Sequence, residues 1–248
     1  MAVLARDVLG RTNVLTVTAD SPSIAREDLA DARQLACDLH LEHRVIATRE
    51  VEDPGYRANT TARCYLCKRT LFDELGVLAE ALRVPAVFYG AIGDDQLSER
   101  PGQRAALERG VRAPLQEVGL AKWDVRLLAW EFGLPNWDRP QNACLASRIP
   151  HGQEVTEEKL RQVEAAESFL RSQGFRQVRV RHAGTHARIE VTPEEIPRLE
   201  RRALDPALGM VFSQLGFAAM IVDPRGYRAG GADAKERRPS PTAFPTHP

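Results

Sequence analysis

Strands and amphipathic helices alternate along the first half of the chain. Residues 13–20 form an apolar, β-branched run that ends in polar residues, as a buried parallel strand does, and residues 23–40 follow with helical periodicity. The pattern then predicts a second strand over 43–50, a helix over 70–84 and a third strand over 85–91. This order predicts an α/β fold with a parallel sheet, whose ligands lie beyond the carboxyl ends of the strands.

The second half of the chain has a different order of elements. Two helices lead to a proline-rich stretch, beyond which a helix with Thr156 as N-cap and Gly174 as stop precedes two strands, two helices and a last strand. We therefore predict a parallel-sheet domain over 1–138 and a smaller α+β domain over 139–233. Residues 234–248 are polar and rich in proline, which predicts a disordered tail.

Charge and hydropathy narrow the class of protein. The 248 residues contain 34 Lys and Arg against 34 Asp and Glu, so no excess charge indicates a nucleic acid or an anionic membrane as partner. No apolar run approaches the roughly 20 residues that cross a bilayer. Arg6 and Asp7 interrupt the apolar N-terminal segment, which predicts a helix and not a signal peptide. We expect a cytoplasmic protein with reduced thiols.

Four cysteines are the first candidates for chemistry. Cys64 and Cys67 have the Cys-x-x-Cys spacing that lets two thiolates reach one ion, and Cys144 is available as a third ligand. Three thiolates are too few for a closed zinc site and enough for a cluster with one corner free, but spacing alone slightly favours a structural or incidental role. Cys144 is near Arg148 and is either a nucleophile or a buried loop cysteine. The helical pattern places Cys37 in the core.

Cations concentrate in the second half of the chain. Arg179 and Arg181 lie on one face of a predicted strand, and two guanidinium groups side by side favour a phosphate or carboxylate between them. The alternative is an outer face with salt bridges to Glu190 or Glu167. Further polar groups of the same half favour the anion pocket: Ser147, Arg148, Arg225 and Arg228.

Acidic residues follow two of the predicted strands. Asp94 and Asp95 end the third strand, where carboxylates can hold magnesium against nucleotide phosphates, or simply cap the next helix. Asp20 and Ser21 end the first strand, where a ligand of a parallel sheet would lie, or they simply cap the next helix. Neither of these acidic patterns is by itself strong evidence for a ligand site.

Taken together, these stretches resemble the LarE-type ATP-dependent sulfur transferases of the PP-loop (adenine nucleotide alpha hydrolase-like) superfamily. The resemblance runs from about residue 10 to residue 231 and rests on stretches that occur in the family's order: "TADSPS", "RCYLCK", "RPGQRAALERGVRAPL", "NACLASRIPHG", "VRVRHAGTHARIEV" and "GYRAG". It implies a Rossmann-like PP-loop domain over 1–138 and a sulfur-transfer and substrate-binding domain over 139–233.

The resemblance also implies a reaction. ATP with Mg²⁺ adenylylates a carboxylate of a pyridinium-3,5-dicarboxylate mononucleotide, and a sulfur nucleophile then displaces AMP, in the biosynthesis of the nickel-pincer nucleotide cofactor of lactate racemase. Family members with one cysteine, matching Cys144, give up its own sulfur. Members with all three resemble [4Fe-4S] proteins, so the resemblance implies a cluster on Cys64, Cys67 and Cys144.

The same resemblance assigns the remaining site residues. Those implied to lie near ATP and magnesium are Asp20, Ser21, Arg63, Gly90, Asp94 and Asp95. Those implied to bind the substrate are Ser147, Arg148, Glu167, Arg179, Arg181, Arg225 and Arg228. Partners implied are the nucleotide substrate, other enzymes of the cofactor pathway and further copies of the chain in a homo-oligomer, without nucleic acid or membrane.

One family feature has no counterpart in these residues. The first strand and the Ser-Gly-Gly-x-Asp-Ser loop that binds pyrophosphate are missing, which favours a start site placed too late or a truncated protein. Two other functions stay open: another PP-loop enzyme such as a tRNA thiolase, which the balanced charge disfavours, and a non-catalytic anion-binding remnant. Binding of bulk tRNA would favour the first, and failure to bind ATP would favour the second.

Overall fold

Two sheets organise the part of the chain that the computed structural model describes, which comprises residues 1–95, 101–140 and 142–228. The helices of these ranges are α1 Ala2–Leu9, α2 Arg26–Asp38, α3 Pro54–Arg57, α4 Arg63–Leu82, α5 Pro101–Glu108, α6 Pro114–Glu117, α7 Lys122–Glu131, α8 Glu157–Ser172, α9 Ile196–Ala203 and α10 Pro206–Gln214. The strands are β1 Leu15–Asp20, β2 Glu42–Ala47, β3 Val178–Ala183, β4 His186–Val191 and β5 Ala219–Val222.

The first sheet pairs β1 with β2 in parallel, and α2 connects them. The register runs from Leu15 opposite Glu42 to Asp20 opposite Ala47, and the Thr48 amide extends the ladder by donating to the Asp20 carbonyl at 3.0 Å. Both strands therefore end at the same edge, which is where ligands of parallel sheets lie. The mixed architecture confirms the predicted α/β class.

The predicted third strand over 85–91 is wrong. In the structure these residues make a single parallel bridge, between Phe88 and Arg112, and they do not join β1 or β2. The physical reason is exposure: most of the segment is in solvent, including Phe88 at 37% exposed, so its apolar residues lack the cover that makes a parallel strand stable.

The second sheet has the order β3-β4-β5, with β3 antiparallel to β4 and β4 parallel to β5. The first of its helices, α8, packs against β3, and their buried apolar side chains share one core. The predicted ends of α8 are confirmed, because the Thr156 hydroxyl accepts from the Lys159 amide at 3.2 Å and Gly174 has a φ of 86° just after the helix. The domain boundary at 138/139 stays a prediction.

Two helices differ from the sequence-based expectation in ways that concern cysteines. Helix α4 begins at Arg63, seven residues before the predicted start at 70, so Cys64 and Cys67 lie in its first two turns. Cys37, predicted in the core, is exposed. Its neighbour Ala36 faces the core instead, and successive residues of a helix point about 100° apart.

In the described ranges, no helix has both the length and the apolarity required to cross a bilayer. The predicted disordered tail, 234–248, lies outside the described residues.

Candidate functional site

The thiol centre, which we define as Cys64, Cys67 and Cys144, joins α4 to a distant segment of the chain. Cys64 and Cys67 are three positions apart on α4 and therefore neighbours on the helix surface. Cys144 directly precedes a 3-10 turn, Leu145–Arg148. Cys67 and Cys144 are half-buried against one apolar core cluster, and Cys64 is exposed.

The Cys67 thiol is less acidic than an ordinary cysteine. Burial raises the pKa of Cys67 to about 12, and the charges of Glu50, Cys144 and Cys64 contribute to the increase. All three cysteines are free thiols. Within the described ranges, however, no three His, Cys, Asp or Glu side chains are already arranged to hold a metal ion. A shared ion would therefore require the thiols to turn toward one another.

Asn59 holds the Cys144 segment against the loop that precedes α4. It is fully buried with a φ of 52°, a left-handed conformation that asparagine tolerates better than most residues. Its side-chain amide donates to three main-chain carbonyl groups at 2.8 to 3.1 Å, those of Ile149, Pro150 and Gln153. Sequence analysis missed this residue, because an asparagine before a helix also has the simpler interpretation of a turn residue.

Arg63 completes the same connection. Its buried guanidinium donates to the Asn59 Oδ1 at 2.6 Å and to the Ala146 carbonyl at 2.8 Å. Since Ala146 is two residues from Cys144 and Arg63 adjoins Cys64, these bonds tie the two parts of the thiol centre together. Arg63, expected near the nucleotide, thus has protein partners in the structure.

Replacing Asn59 with alanine is expected to destabilise the protein by about 2–3 kcal/mol. The change removes the donor to three buried carbonyl groups and the acceptor of Arg63, and it places alanine in a left-handed conformation. Denaturant unfolding measures the difference. The matched control is Asn13→Ala, which also removes one side-chain donor to a carbonyl but on the surface, and is expected to change stability by less than about 0.5 kcal/mol.

A second contact places Cys144 at the carboxyl end of β1. The Leu145 amide donates to the Ser23 carbonyl at 2.8 Å, and the Ser23 hydroxyl is 2.5 Å from the hydroxyl of Tyr56. Tyr56 is 1% exposed, and burial raises the pKa of its phenol, as does the charge of Cys144. Its position beside the thiol centre could not be inferred from the sequence, because no periodic pattern includes the short helix α3.

The arginine centre, which we define as Arg148, Arg179 and Arg181 with their acidic partners, begins four residues after Cys144. Arg148 and Glu167 form a fully buried bidentate ion pair, with N···O distances of 2.8 and 3.0 Å. The remaining Arg148 N–H groups donate to the Ala143 and Cys144 carbonyls, at 2.5 and 3.0 Å, and to the Ser147 hydroxyl at 3.1 Å. These hydrogen bonds of Arg148 therefore fix the main-chain conformation of the Cys144 segment.

The other two arginines of the centre project from one face of β3, as the alternation predicted. Arg181 binds Glu190 at 2.9 Å and donates to the Ser147 carbonyl at 2.9 Å. Arg179 lies over the ring of Tyr227, with 5.2 Å from the guanidinium carbon to the ring centroid. Burial lowers the pKa of Arg179, and the neighbouring Arg148 cation lowers it further. Sequence analysis expected either an anion pocket or an outer face with salt bridges. Arg181 has the expected partner, Glu190, but this pair is buried and not on an outer face, and the anion pocket stays a prediction.

Two further predicted substrate residues, Arg225 and Arg228, are exposed. Arg225 is 60% exposed in its side chain and pairs with the buried Asp223 at 3.2 Å. Its hydrogen bonds hold the pKa of Asp223 below the usual value. Arg228 is exposed near the end of the described residues.

The predicted nucleotide residues divide into two groups. Asp20 and Ser21 end β1 near the Cys144 segment, with Asp20 paired to Arg26 at 2.5 Å and the Ser21 hydroxyl accepting from the Ser23 amide. Gly90 follows the Phe88 bridge and is exposed.

The acidic pair after Gly90 has local partners. Asp94 accepts from the Lys122 amide at 2.6 Å, and Asp95 from the Ile92 amide at 3.2 Å. Hydrogen bonds thus connect the Cys144 segment with the arginine centre and with the loop that follows β1. The roles of Gly90, Asp94 and Asp95 stay predictions.

Comparison with known proteins identifies relatives of similar length. The chain is 43% identical over 230 residues to an uncharacterized protein of Synechocystis sp., covering 93% of this chain and 85% of the relative. It is 35% identical over 227 residues to the pyridinium-3,5-bisthiocarboxylic acid mononucleotide synthase of Lactiplantibacillus plantarum, covering 92% and 82%. It is 29% identical over 180 residues to an uncharacterized protein of Methanocaldococcus jannaschii, covering 73% and 69%. No protein-family model matches the chain.

The similarity to the synthase covers most of both chains, at 35% identity. It agrees with the resemblance that the cysteine and arginine stretches carry. The chain therefore belongs to the LarE family of sulfurtransferases.

Proposed function

We propose that this protein transfers sulfur to a carboxylate of a pyridinium-3,5-dicarboxylate mononucleotide, in the biosynthesis of the nickel-pincer nucleotide. The observation that carries the proposal is the position of Cys144, which belongs to the thiol centre and is hydrogen-bonded to the arginine centre. Its carbonyl accepts from Arg148 at 3.0 Å, and its charge contributes to the raised pKa of Cys67. The substrate is inferred from the name of the Lactiplantibacillus relative, which is a bisthiocarboxylic acid mononucleotide synthase.

The proposed reaction has two displacements. A carboxylate oxygen of the substrate attacks the α-phosphorus of ATP, and pyrophosphate leaves. A sulfur nucleophile then attacks the acyl carbon, and AMP leaves with the former carboxylate oxygen, so that a thiocarboxylate remains. The mixed anhydride is needed because a free carboxylate is a poor electrophile.

The arginine centre is the proposed binding site for the anionic groups of the substrate. Burial and the Arg148 cation both oppose the charge of Arg179, so a substrate phosphate or carboxylate beside it would stabilise the charged form. Arg148 and Arg181 have a different proposed role. They orient Ser147 and the Cys144 segment through hydrogen bonds to the main chain. Arg225 and Arg228 are proposed to contact the substrate from the rim.

ATP and magnesium are proposed to bind at the carboxyl end of β1, near Asp20 and Ser21. The edge where parallel strands end is the usual ligand position, and the contact from Leu145 to Ser23 brings the Cys144 segment to it. Asp94 and Asp95 remain proposed magnesium contacts. For Arg63 we propose a positioning role, because its bonds to Asn59 and Ala146 support the Cys144 segment.

The thiol centre has the donor set for a [4Fe-4S] cluster with one iron left open. Three free thiols on two anchored segments, one of them largely enclosed, match the soft ligands that such clusters require. When bound, the cluster would supply sulfide for transfer. The second candidate donor is the sulfur of Cys144 itself. Its thiolate would displace AMP to form a thioester, and loss of the Cys144 α-proton with cleavage of the Cβ–S bond would then release the thiocarboxylate and leave dehydroalanine at position 144.

Anaerobic incubation with ATP, Mg²⁺ and the dicarboxylate mononucleotide tests the proposed function. We expect AMP, pyrophosphate and a thiocarboxylate product, which mass spectrometry identifies. Pyrophosphate release without any thiocarboxylate would contradict sulfur transfer. The proposed setting is cytoplasmic, in a homo-oligomer that acts with other enzymes of the pathway.

Replacing Cys67 with alanine is expected to remove most of the iron and acid-labile sulfide from anaerobically prepared protein. The variant takes away the most enclosed of the three ligands, and two thiolates cannot hold the cluster. Iron and sulfide analysis together with visible absorbance measure the loss. Cys37→Ala is the matched control, because Cys37 is an exposed cysteine outside the centre. Colourless wild-type protein that contains zinc would contradict the prediction.

A further inference from the structure

Asp28, in the first turn of α2, binds two of the residues that lead to Cys144. The Arg139 guanidinium donates to one oxygen of its carboxylate at 2.7 Å, and the Asn142 side-chain amide donates to the other at 2.6 Å. Hydrogen bonds to an ionised carboxylate are stronger than those between neutral groups. Asp28 therefore anchors the approach to Cys144 on a helix that is distant from it in the sequence.

Asn142 connects this anchor to the arginine centre. Its side-chain oxygen accepts from Arg148 at 3.1 Å, while its nitrogen donates to Asp28. A carboxylate only accepts and a guanidinium only donates, so one orientation of the amide satisfies both neighbours. The same Arg148 donates to the Ala143 and Cys144 carbonyls. This series of side chains therefore connects α2 to the main chain at Cys144.

A second path connects the same turn of α2 to the arginine centre. Glu27, the neighbour of Asp28, pairs with Arg171 at 2.8 Å. Arg171 lies 3.4 Å from the Glu167 carboxylate, which in turn binds Arg148. Helix α2 also follows the loop beyond β1, where ATP is proposed to bind, so the network connects the proposed nucleotide position with the sulfur donor.

We propose that Asp28 is a positioning residue for sulfur transfer, which holds Cys144 in its place by way of Asn142 and Arg148. This inference rests on the proposed function, and it adds α2, which contributes no side chain to either centre, to the residues that the transfer step requires. The rate of such a step is sensitive to displacements of about 1 Å in the reacting groups, so a residue that acts through others can change it strongly.

Replacing Asp28 with alanine is expected to slow single-turnover formation of the thiocarboxylate about 10–100-fold. Pyrophosphate release and the mononucleotide concentration that gives half the maximal rate should keep their wild-type values, because activation and binding do not use the thiol. Asp31→Ala is the matched control. Asp31 is on the same helix and also pairs with Arg139, at 2.9 Å, but within the described ranges it has no hydrogen bond with Asn142. This variant should transfer sulfur at the wild-type rate.

Alkylation of the thiols gives a readout that does not depend on sulfur transfer. Cys144 is half-buried, so loosening its segment is expected to speed its reaction with iodoacetamide about tenfold in Asp28→Ala and in Asn142→Ala, as peptide mass spectrometry measures. Cys37, exposed on α2, is the internal reference and should react at an unchanged rate. Because Asp28 acts through Asn142, the double variant should react no faster than either single variant.

Several outcomes would overturn the inference. Wild-type transfer in Asp28→Ala, or equal losses in Asp28→Ala and Asp31→Ala, would contradict a role of the Asn142 contact, as would additive effects in the double variant. A parallel loss of pyrophosphate release would assign Asp28 to activation instead. If the wild-type protein forms no thiocarboxylate, the proposed function fails, and unchanged alkylation of Cys144 would overturn the inference separately. Wild-type transfer in Asn142→Ala, which leaves α2 intact, would overturn it even if Asp28→Ala does not fold.

Discussion

Replacing Cys144 with alanine is expected to reduce thiocarboxylate formation by more than about a thousandfold, to the background rate. Both candidate sulfur donors depend on this residue, either as the source of the sulfur or as a ligand of the cluster. Adenylylation of the carboxylate precedes the transfer and does not use the thiol, so pyrophosphate release should continue for about one turnover. Separate measurement of pyrophosphate and of thiocarboxylate therefore isolates the step that fails.

The control for this variant is Cys37→Ala, which removes an exposed cysteine on α2 and should leave both products unchanged. Mass spectrometry of the wild-type protein after turnover separates the two donors. Conversion of Cys144 to dehydroalanine identifies its own sulfur as the one transferred, and an intact Cys144 identifies another source. Undiminished thiocarboxylate in the Cys144→Ala variant would contradict the assignment of this residue.

Sequence patterns predicted the secondary structure correctly where the local sequence and the tertiary packing favour the same element. Helix α8 combines an apolar face with a capping threonine and a stopping glycine, and the structure has each feature as predicted. Residues 85–91 have strand composition but no sheet partner beyond one bridge, and strand propensity alone does not provide the partner. Cys37 is apolar in type, yet the helix turns it away from the core.

The candidate site was predictable as a set of residues but not as a set of contacts. The sequence indicated that the arginines of the second half share a region, yet whether a guanidinium meets a substrate or a buried carboxylate depends on tertiary packing. Asn59 was missed for a related reason. It belongs to no periodic pattern, and its importance comes from burial, which composition and spacing do not report.

Replacing Glu167 with glutamine is expected to destabilise the protein by about 3–5 kcal/mol, because it leaves the Arg148 guanidinium buried without its counterion. The change keeps the shape of the side chain, but it removes the charge and turns one acceptor into a donor that faces another donor. The Glu167 carboxylate also accepts from the Val180 amide at 3.0 Å, so α8 and β3 lose a connection as well. Denaturant unfolding of the two proteins measures the difference.

The exposed pair Arg112–Glu117 provides the control for Glu167→Gln, because it differs from the Arg148–Glu167 pair in burial. It has the same two-pronged geometry, at 3.2 and 2.6 Å, but lies on the surface, and Glu117→Gln is therefore expected to cause no measurable loss of stability. Equal unfolding midpoints for Glu167→Gln and wild type would contradict the burial of the Arg148 pair.

An apolar double variant, Arg148→Met with Glu167→Leu, separates the charge from the contacts of the arginine. Removing both charges avoids the unpaired ion, so much of the stability lost in Glu167→Gln should return. Sulfur transfer should not return, because methionine cannot donate to the Ala143 and Cys144 carbonyls that Arg148 holds. Recovery of stability without activity would show that the buried arginine serves the position of Cys144, and recovery of both would contradict that role.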